Sequence, residues 1–240
     1  MSAAHEIAIL KFGGTSLATP QAREIARQRV QESIERGFAT VVVCSAMGRP
    51  PEPYATDTLL SITPSDSKPN ANTDMLLACG ELISAAAFAE LLSQNGSPAR
   101  ALTGAQAGIL TDAHFGDAKI VRVAPERVRD LLEKETIPVV AGFQGMTMAG
   151  DITTLGRGGT DLSAIALGHA LGAERIDIFT DVSGAMSGDP RRVNGARTIE
   201  RAQLLEMSEL AEHGAKVMHS KAVRHSRTRE QRGHGRRGKR

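Results

Sequence analysis

With 240 residues, of which 41% are hydrophobic and 23% charged, the chain has the composition of a soluble globular protein and the length of one large α/β domain or two small ones, and we start from one. Residues 226–240 hold seven of its 29 Lys and Arg and one of its 27 Asp and Glu, so the first 225 residues carry 22 basic against 26 acidic groups, a formal charge of −4; this excludes a basic nucleic-acid-binding domain. No uninterrupted apolar run reaches the roughly 18 to 20 residues of a membrane span, and no secretory signal pattern is present, so we expect a cytoplasmic protein without a membrane partner.

Apolar, β-branched runs alternate with segments of helical periodicity along the first half of the chain. This alternation predicts an α/β fold, in which helices cover both faces of a mostly parallel open sheet. We predict a strand over residues 7–12, a helix over 20–36 and a strand over 40–44. Residues 48–72 are rich in Pro, Ser, Asp and Asn, and we interpret them as one long loop.

The same alternation continues through the second half. Pro125 is expected in the first turn of a helix and Gly172 just after the end of another. The predicted strands are 99–103, 137–141 and 175–180, and the predicted helices are 73–94, 125–135, 161–171, 203–213 and 215–223. From residue 226 onward apolar residues vanish, so we divide the chain into a folded domain, 1–225, and a disordered basic tail, 226–240.

Two glycine-rich turns stand where anions are commonly bound. Lys11 precedes Gly13 and Gly14 at the end of the first strand, and two residues without Cβ let backbone N–H groups approach a phosphate beside a lysine charge. Arg157 lies in the turn that opens the 161–171 helix and offers a planar fork for a carboxylate; Asp161 either caps that helix or orients a lysine. A plain tight turn and a solvated arginine are the alternatives.

Three further charged side chains stand at positions typical of a binding site. Asp181 follows an apolar strand, at the edge where open α/β sheets form ligand crevices, although a turn aspartate would look the same. Glu81 interrupts an apolar helix, where its carboxylate needs a partner, either a substrate ammonium or an internal salt bridge. Lys216 begins a helix, which disfavours its charge unless an anion is near or solvent surrounds it.

Nine motifs in order resemble those of the aspartate kinases of the amino acid kinase superfamily. The resemblance covers about residues 7–223, and it implies a three-layer αβα sandwich. Each motif is weakly specific alone, and the order and spacing make the set specific. The motifs are KFGGTS (11–16), CSAMG (44–48), TDTLL (56–60), CGE (79–81), TGAQAG (103–108), AGFQG (141–145), GRGGTD (156–161), TDVSGAMSGDPR (180–191) and GAKVMH (214–219).

The resemblance implies transfer of the γ-phosphate of ATP to the side-chain carboxylate of L-aspartate, with Mg²⁺ held mainly by ATP oxygens and no metal site of the protein's own. It assigns the catalytic roles to Lys11 and Lys216, which offset phosphate charge, and to Asp161, which organises the lysines. The residues implied to contact aspartate are Ser45, Thr56, Glu81 (near its ammonium), Arg157 (at its α-carboxylate) and Thr160. The residues implied to contact the nucleotide are Lys11, Gly13, Gly14, Ser16, Thr180, Asp181, Met186, Arg191, Lys216 and Val217.

This chemistry agrees with the residues present. A carboxylate with a pKa of about 3.9 is ionised at neutral pH, so it attacks without a general base, and none of the seven histidines is needed for proton transfer. The site must therefore align two anions, the aspartate carboxylate and the triphosphate, and offset their repulsion. Cys44 and Cys79 form no CxxC pair or zinc spacing, and we interpret them as buried thiols.

The chain departs from the family pattern at three places. Ser183 stands where an acidic residue is usual and Met186 where a tyrosine is common. After Val223 the family continues into further strands and paired regulatory ACT domains, whereas this chain becomes basic and polar; our hypothesis is a truncation or frame shift. The alternatives are a non-catalytic, nucleotide-binding remnant or subunit that pairs with a full-length aspartokinase, and, more distantly, another amino acid kinase. A homo-oligomer is the other partnership that we consider.

Overall fold

The computed structural model of the protein describes residues 6–64 and 66–179. The strands are β1 (Ile7–Phe12), β2 (Ala39–Cys44), β3 (Ala99–Leu102), β4 (Ile109–Thr111), β5 (Ile120–Val123), β6 (Ile137–Ala141), β7 (Gln144–Met146), β8 (Ile152–Thr154) and β9 (Arg175–Phe179). The helices are α1 (Gly14–Leu17), α2 (Pro20–Glu35), α3 (Thr56–Leu60), α4 (Ala71–Gln94), α5 (Glu126–Glu133) and α6 (Gly159–Leu171).

A five-stranded sheet in the order β3-β6-β2-β1-β9 forms the centre of the fold. All four strand pairs are parallel. The five strands correspond to the five predicted from the sequence, and the fold class, α/β with a mostly parallel open sheet, is confirmed. Because the strands are parallel, the residues that follow them lie along one edge of the sheet.

A second sheet was not predicted. It has the order β5-β4-β7-β8, with β4 antiparallel to β5, β4 parallel to β7, and β7 antiparallel to β8. Its strands have only three or four residues, too few for hydrophobic alternation to be visible in the sequence. Pairing between distant segments creates them.

Helices cover both faces of the central sheet, as expected. On one face α2 and α4 pack over a core cluster that includes Leu10 and Phe12 of β1 and Phe88 of α4. On the other face α6 packs on β1 and β9. The α5 helix lies on that side too, because Arg129 donates a hydrogen bond to the Ala170 carbonyl at 2.9 Å.

The α4 helix is the longest element, with 24 residues. Asn70 caps its first turn, and Asn70 and Thr73 form a reciprocal capping box. By length and apolar composition it would pass for a membrane-spanning helix, but it is a core helix here, because Ala85, Phe88 and other residues on one face belong to the core cluster.

Several predicted boundaries were wrong. The predicted loop 48–72 contains the short helix α3, which its Pro- and Ser-rich flanks concealed. The short helix α1, directly after the first glycine turn, was not predicted. The helix expected over 125–135 covers only Glu126–Glu133, and Pro125 is its N-cap rather than its first residue. Gly172 does end α6, with a left-handed φ of 69°, as predicted.

The predicted helices 203–213 and 215–223 lie outside the described residues. The division into a domain, 1–225, and a basic tail, 226–240, stays a prediction for the same reason.

Candidate active site

Glycine turns and polar side chains meet where the central strands end. Backbone hydrogen bonds of 3.0 Å join each turn to the neighbouring strand: Gly13 N to Phe179 O, Ser45 N to Phe12 O, and Gly142 N to Cys44 O. The segments that follow β1, β2 and β6 are therefore held side by side. Ligand crevices of open α/β sheets lie at this edge.

Lys11 and Asp161 form a buried ion pair. The Lys11 Nζ atom lies 2.8 Å from Asp161 Oδ1, and the two residues are only 8% and 9% exposed. Asp161 belongs to the first turn of α6, whose N-cap is Gly158 and which has no side-chain cap. Of the two roles considered for Asp161, the structure therefore shows the contact with a lysine.

The first glycine turn packs closely against the segment that follows β2. A Cβ added to Gly14 would overlap the Ala46 carbonyl oxygen and lie 2.9 Å from Gly48 O, and Gly48 N donates to Gly14 O at 3.0 Å. Only glycine fits at position 14. The Gly13 amide donates to Phe179 O, so this N–H is already bonded and is not the donor to a phosphate that the sequence suggested.

Glu81 lies on α4 with its carboxylate turned toward the segment after β2. It is 2% exposed, its Oε1 accepts a hydrogen bond from Ala46 N at 3.1 Å, and its Oε2 has no hydrogen-bond partner. Among the described residues no cation pairs with it, so the internal salt bridge that the sequence left open as the alternative is not formed there. Burial raises the pKa of Glu81 to about 8, and the bond from Ala46 lowers it only in part.

Burial also raises the pKa of the Cys44 thiol, and the nearby Glu81 carboxylate adds to that effect. Cys44 is buried, as predicted, whereas Cys79 is only partly buried. The thiol of Cys79 donates to the Met75 carbonyl at 3.4 Å. The Cys44 thiol is therefore kept protonated at neutral pH and is not a thiolate ligand.

The remaining predicted aspartate contacts differ in exposure. Arg157 is exposed and forms no hydrogen bond or ion pair with the described residues. Ser45 and Thr56 are half-buried. Thr160 is 8% exposed, and its methyl group fills the space beside Gly142. An exposed guanidinium without a partner among the described residues leaves Arg157 available to a ligand carboxylate.

Of the residues predicted at the nucleotide, Gly14 and Ser16 are half-buried in α1 at the end of β1. The other positions, Thr180, Asp181, Met186, Arg191, Lys216 and Val217, lie outside the described residues. Their placement around the same crevice stays a prediction.

One buried carboxylate was missed by the sequence analysis. Asp74 is 1% exposed, and its Oδ2 accepts hydrogen bonds from Gly116 N at 3.0 Å and Thr154 N at 2.6 Å. Burial raises its pKa, and these two backbone bonds oppose that effect. The only signal in the sequence was a charge in a helix of otherwise apolar character, the same signal that singled out Glu81.

An open cavity of about 440 Å³ lies between α2, α4 and residues 47–54. Arg23, Tyr54 and Glu90 are among its lining residues, and none of the predicted site residues is.

Comparison with known proteins agrees with this geometry. The sequence profile described as "Amino acid kinase family" matches residues 6–234. Aspartokinase 1 of Bacillus subtilis is 50% identical over 196 residues, which are 81% of this chain and 48% of that protein. The aspartokinase of Geobacillus stearothermophilus is 44% identical over 81% of this chain and 47% of its own length.

Solved structures show the same likeness. Escherichia coli aspartokinase III in complex with aspartate and ADP, in its R-state, superposes with a TM-score of 0.77 at 28% identity, over 91% of this chain and 59% of that one. The aspartate kinase from Synechocystis gives a TM-score of 0.74 at 39% identity, over 91% and 36% of the two chains. The chain spans about half the length of the curated relatives it matches. The profile match over nearly the whole chain, together with the fold and the glycine turns at the sheet edge, shows that this chain belongs to the amino acid kinase family.

Proposed function

We propose that the chain is an aspartate kinase domain that transfers the γ-phosphate of ATP to the side-chain carboxylate of L-aspartate, giving 4-phospho-L-aspartate and ADP. The observation that carries the proposal is the buried Lys11–Asp161 pair, 2.8 Å apart, beside the glycine turn at the end of β1. Identity of up to 50% to aspartokinases supports this substrate over those of other amino acid kinases.

Lys11 is the residue that offsets negative charge during phosphoryl transfer. Two anions, the aspartate carboxylate and the triphosphate, repel one another, and a fixed cation between them lowers that repulsion without reorganising during the reaction. Asp161 holds the Lys11 ammonium at the sheet edge, where a Cβ on Gly13 would lie 3.7 Å from its Nζ. Lys216 would add the second positive charge.

Aspartate recognition needs one acceptor for the ammonium and one donor for the α-carboxylate. Glu81 offers the acceptor, because its Oε2 is buried and unpaired in the described residues. A substrate ammonium would supply the counter-charge that this carboxylate lacks. Arg157, exposed and without an ion-pair partner among those residues, offers the bidentate donor.

The nucleotide would be ATP, as the ADP-bound aspartokinase III suggests. Among the described residues no group of three or more His, Cys, Asp and Glu side chains is placed to hold a metal. We propose Mg²⁺ held mainly by the phosphate oxygens, where it would neutralise phosphate charge.

The wider setting is also part of the proposal. The reaction would be the first step toward lysine, diaminopimelate, threonine and methionine, carried out in the cytoplasm. The chain would act as a homo-oligomer or with a full-length aspartokinase.

The test measures ADP release from ATP and Mg²⁺ with aspartate, glutamate, N-acetylglutamate or carbamate as acceptor. We expect turnover with aspartate only, and the Lys11→Ala variant to lose it by about 100-fold or more, the usual effect of removing one electrostatic donor. Lys119→Ala, which changes an exposed lysine, is the matched control and should retain wild-type turnover.

The alternatives predict other outcomes. Turnover with another acceptor and none with aspartate would identify a different amino acid kinase. No turnover with any acceptor would identify a non-catalytic remnant, and restoration on adding a full-length aspartokinase would identify a subunit.

A further inference from the structure

The buried carboxylate of Asp74 joins parts of the chain that are far apart in sequence. Asp74 lies in the first turn of α4, and its Oδ2 accepts both from Gly116 N at 3.0 Å and from Thr154 N at 2.6 Å. Hydrogen bonds from N–H groups to a carboxylate are roughly twice as strong as those between neutral groups. One side chain therefore ties α4 to the 113–118 loop and to the end of β8.

This carboxylate is not needed to cap its own helix. The Asn70 side chain already accepts from Asn72 N at 2.9 Å and Thr73 N at 3.2 Å, and Thr73 completes the capping box. A simple N-cap role for Asp74 is thereby excluded. Burying a carboxylate is unfavourable unless bonds to it compensate, and the bonds found here go to two other segments.

Both tied segments adjoin the turn that carries Arg157. Thr154 precedes Arg157 by three positions, and its carbonyl accepts from Ala118 N at 2.9 Å. Gly156 packs on the 113–118 loop so closely that an added Cβ would collide with Asp117 Oδ1 and lie 3.1 Å from Gly116 O. The turn therefore packs against the 113–118 loop and follows directly after β8, and Asp74 accepts a hydrogen bond from one amide of each of these two segments.

Asp74 also has a counterpart on the same helix. Glu81 follows seven residues later, two helical turns on and hence on the same face, and it accepts from Ala46 N. The α4 helix therefore presents two buried carboxylates: Glu81 is bound to the backbone after β2, and Asp74 to that of the 113–118 loop and of β8.

We infer that Asp74 is a positioning residue for substrate: by binding Gly116 N and Thr154 N it sets the place of the 156–158 turn, and through it the Arg157 guanidinium that binds the α-carboxylate of the amino acid. This inference rests on the proposed function. Asp74 itself touches no substrate. Its removal displaces a recognition group while leaving the Lys11–Asp161 pair intact.

The test compares wild type, Asp74→Ala, Asp74→Asn and Glu90→Ala, the last removing an exposed carboxylate of the same helix that accepts from Gln94 Nε2. Amide hydrogen exchange is followed by mass spectrometry in segments 113–118 and 152–158, and aspartate and ATP kinetics are measured in parallel.

For Asp74→Ala we expect faster exchange in those two segments only, and a KM for aspartate raised about tenfold, since small displacements of a positioning group have effects of this size or larger. The KM for ATP and kcat should change less than about twofold, because the group displaced acts in recognition rather than in phosphoryl transfer. Asp74→Asn keeps an acceptor oxygen but not the charge, so its exchange rates and its KM for aspartate should lie between those of wild type and Asp74→Ala.

Unchanged exchange in both segments, or a fall in kcat and a rise in both KM values together, would overturn the inference. If Asp74→Ala does not fold, Asp74→Asn decides alone: exchange and aspartate KM equal to wild type would overturn it. Wild-type protein without aspartate turnover refutes the proposed function instead, and the exchange data then still decide whether Asp74 holds the turn.

Discussion

At the scale of single residues, burial decides what each charge at the site can do. Lys11 and Asp161 are about nine-tenths buried and 2.8 Å apart, so each compensates the desolvation of the other. Among the described residues, Glu81 has the Ala46 amide as its one hydrogen-bond partner and no cation beside it. Lys11 and Asp161 thus neutralise each other, whereas the Glu81 carboxylate is suited to binding a cationic group of a ligand.

Breaking the buried pair should reduce stability strongly. We expect Asp161→Asn to lower the free energy of unfolding by about 3 kcal/mol or more, because it leaves a buried ammonium without a counter-charge. The double variant Lys11→Met with Asp161→Asn should recover part of that loss. Urea denaturation measures both, and Arg29→Ala, at an exposed pair whose side chains are 49% and 47% accessible, should change stability by less than about 1 kcal/mol. Equal losses in the single and double variants would contradict the coupling.

Glu81 should make stability fall as pH rises. Its pKa is raised from 4.5 to about 8 in the folded state, so between these values the unfolded chain releases a proton that the folded chain keeps, and unfolding becomes easier with increasing pH. Glu81→Gln should remove that slope: its stability should be nearly equal to that of wild type at pH 4.5, and higher above pH 8 by an amount on the order of 5 kcal/mol. The same substitution should abolish aspartate binding.

Denaturant unfolding from pH 4.5 to 8.5 checks this, with Glu90→Gln, on the exposed face of α4, as control. The quantity to follow is the difference between wild type and variant, because other groups titrate in both. If the stability of wild type and of Glu81→Gln changed with pH in the same way, Glu81 would already be charged or compensated in the folded chain.

At the scale of elements, α4 organises the site. One face of α4 carries the core residues that pack on the central sheet. Of its two buried carboxylates, Glu81 binds the segment after β2, and Asp74 binds the 113–118 loop and the last residue of β8. Gly80 makes this possible, since an added Cβ would lie 2.8 Å from Tyr54 O, 2.9 Å from Ala46 Cβ and 3.1 Å from Leu59 Cδ1. The Cys79-Gly80-Glu81 motif thus combines close approach with a hydrogen-bonded carboxylate.

Gly80→Ala should therefore destabilise the protein although alanine favours helix. Helix propensity alone would give a gain of about 1 kcal/mol, whereas forcing a methyl group against backbone and side chains costs about 1 to 3 kcal/mol. Thermal or urea unfolding gives the sign. Ala86→Gly, at an exposed position of the same helix, reports the propensity contribution alone. A stabilised Gly80→Ala protein would show that the loop moves away without cost.

At the scale of the whole molecule, one aromatic cluster joins the central sheet to its helices. The Phe12 ring stacks on Phe179 of β9 with centroids 4.9 Å apart and meets Phe88 of α4 edge-on at 5.6 Å. With an aromatic share of only 3%, few other rings are present to fill the core. Phe12 is the last residue of β1, so the cluster lies directly before the glycine turn at Gly13 and Gly14.

Truncating this cluster should weaken the fold as a unit. Phe88→Ala leaves a cavity in a fully buried place and should lower the free energy of unfolding by about 3 to 5 kcal/mol. Met148→Ala, at a side chain that is 83% exposed, should change it by less than about 0.5 kcal/mol. A small effect of Phe88→Ala in equilibrium denaturation would mean that α4 readily repacks on the sheet.

Much of the fold was predictable from local patterns. The five strands of the central sheet and the helices α2, α4, α5 and α6 were found because apolar periodicity is a property of neighbouring residues. The short strands β4, β5, β7 and β8 were missed because they are defined by partners elsewhere in the chain. Among site residues, Lys11 was singled out by the glycine turn that follows it and Glu81 by its place in an apolar helix, whereas Asp74 was passed over although it lies in the same helix.

The sequence by itself determined the family, the order of the motifs and the residue types available for phosphoryl transfer, since motif order and composition need no coordinates. Only the tertiary structure decided that Asp161 pairs with Lys11 instead of capping α6, that the Gly13 amide is already bonded to Phe179, and that Asp74 supports the turn bearing Arg157. Each of these depends on which distant groups are brought within hydrogen-bonding distance, and on how much water they lose there, and both follow from packing rather than from local sequence.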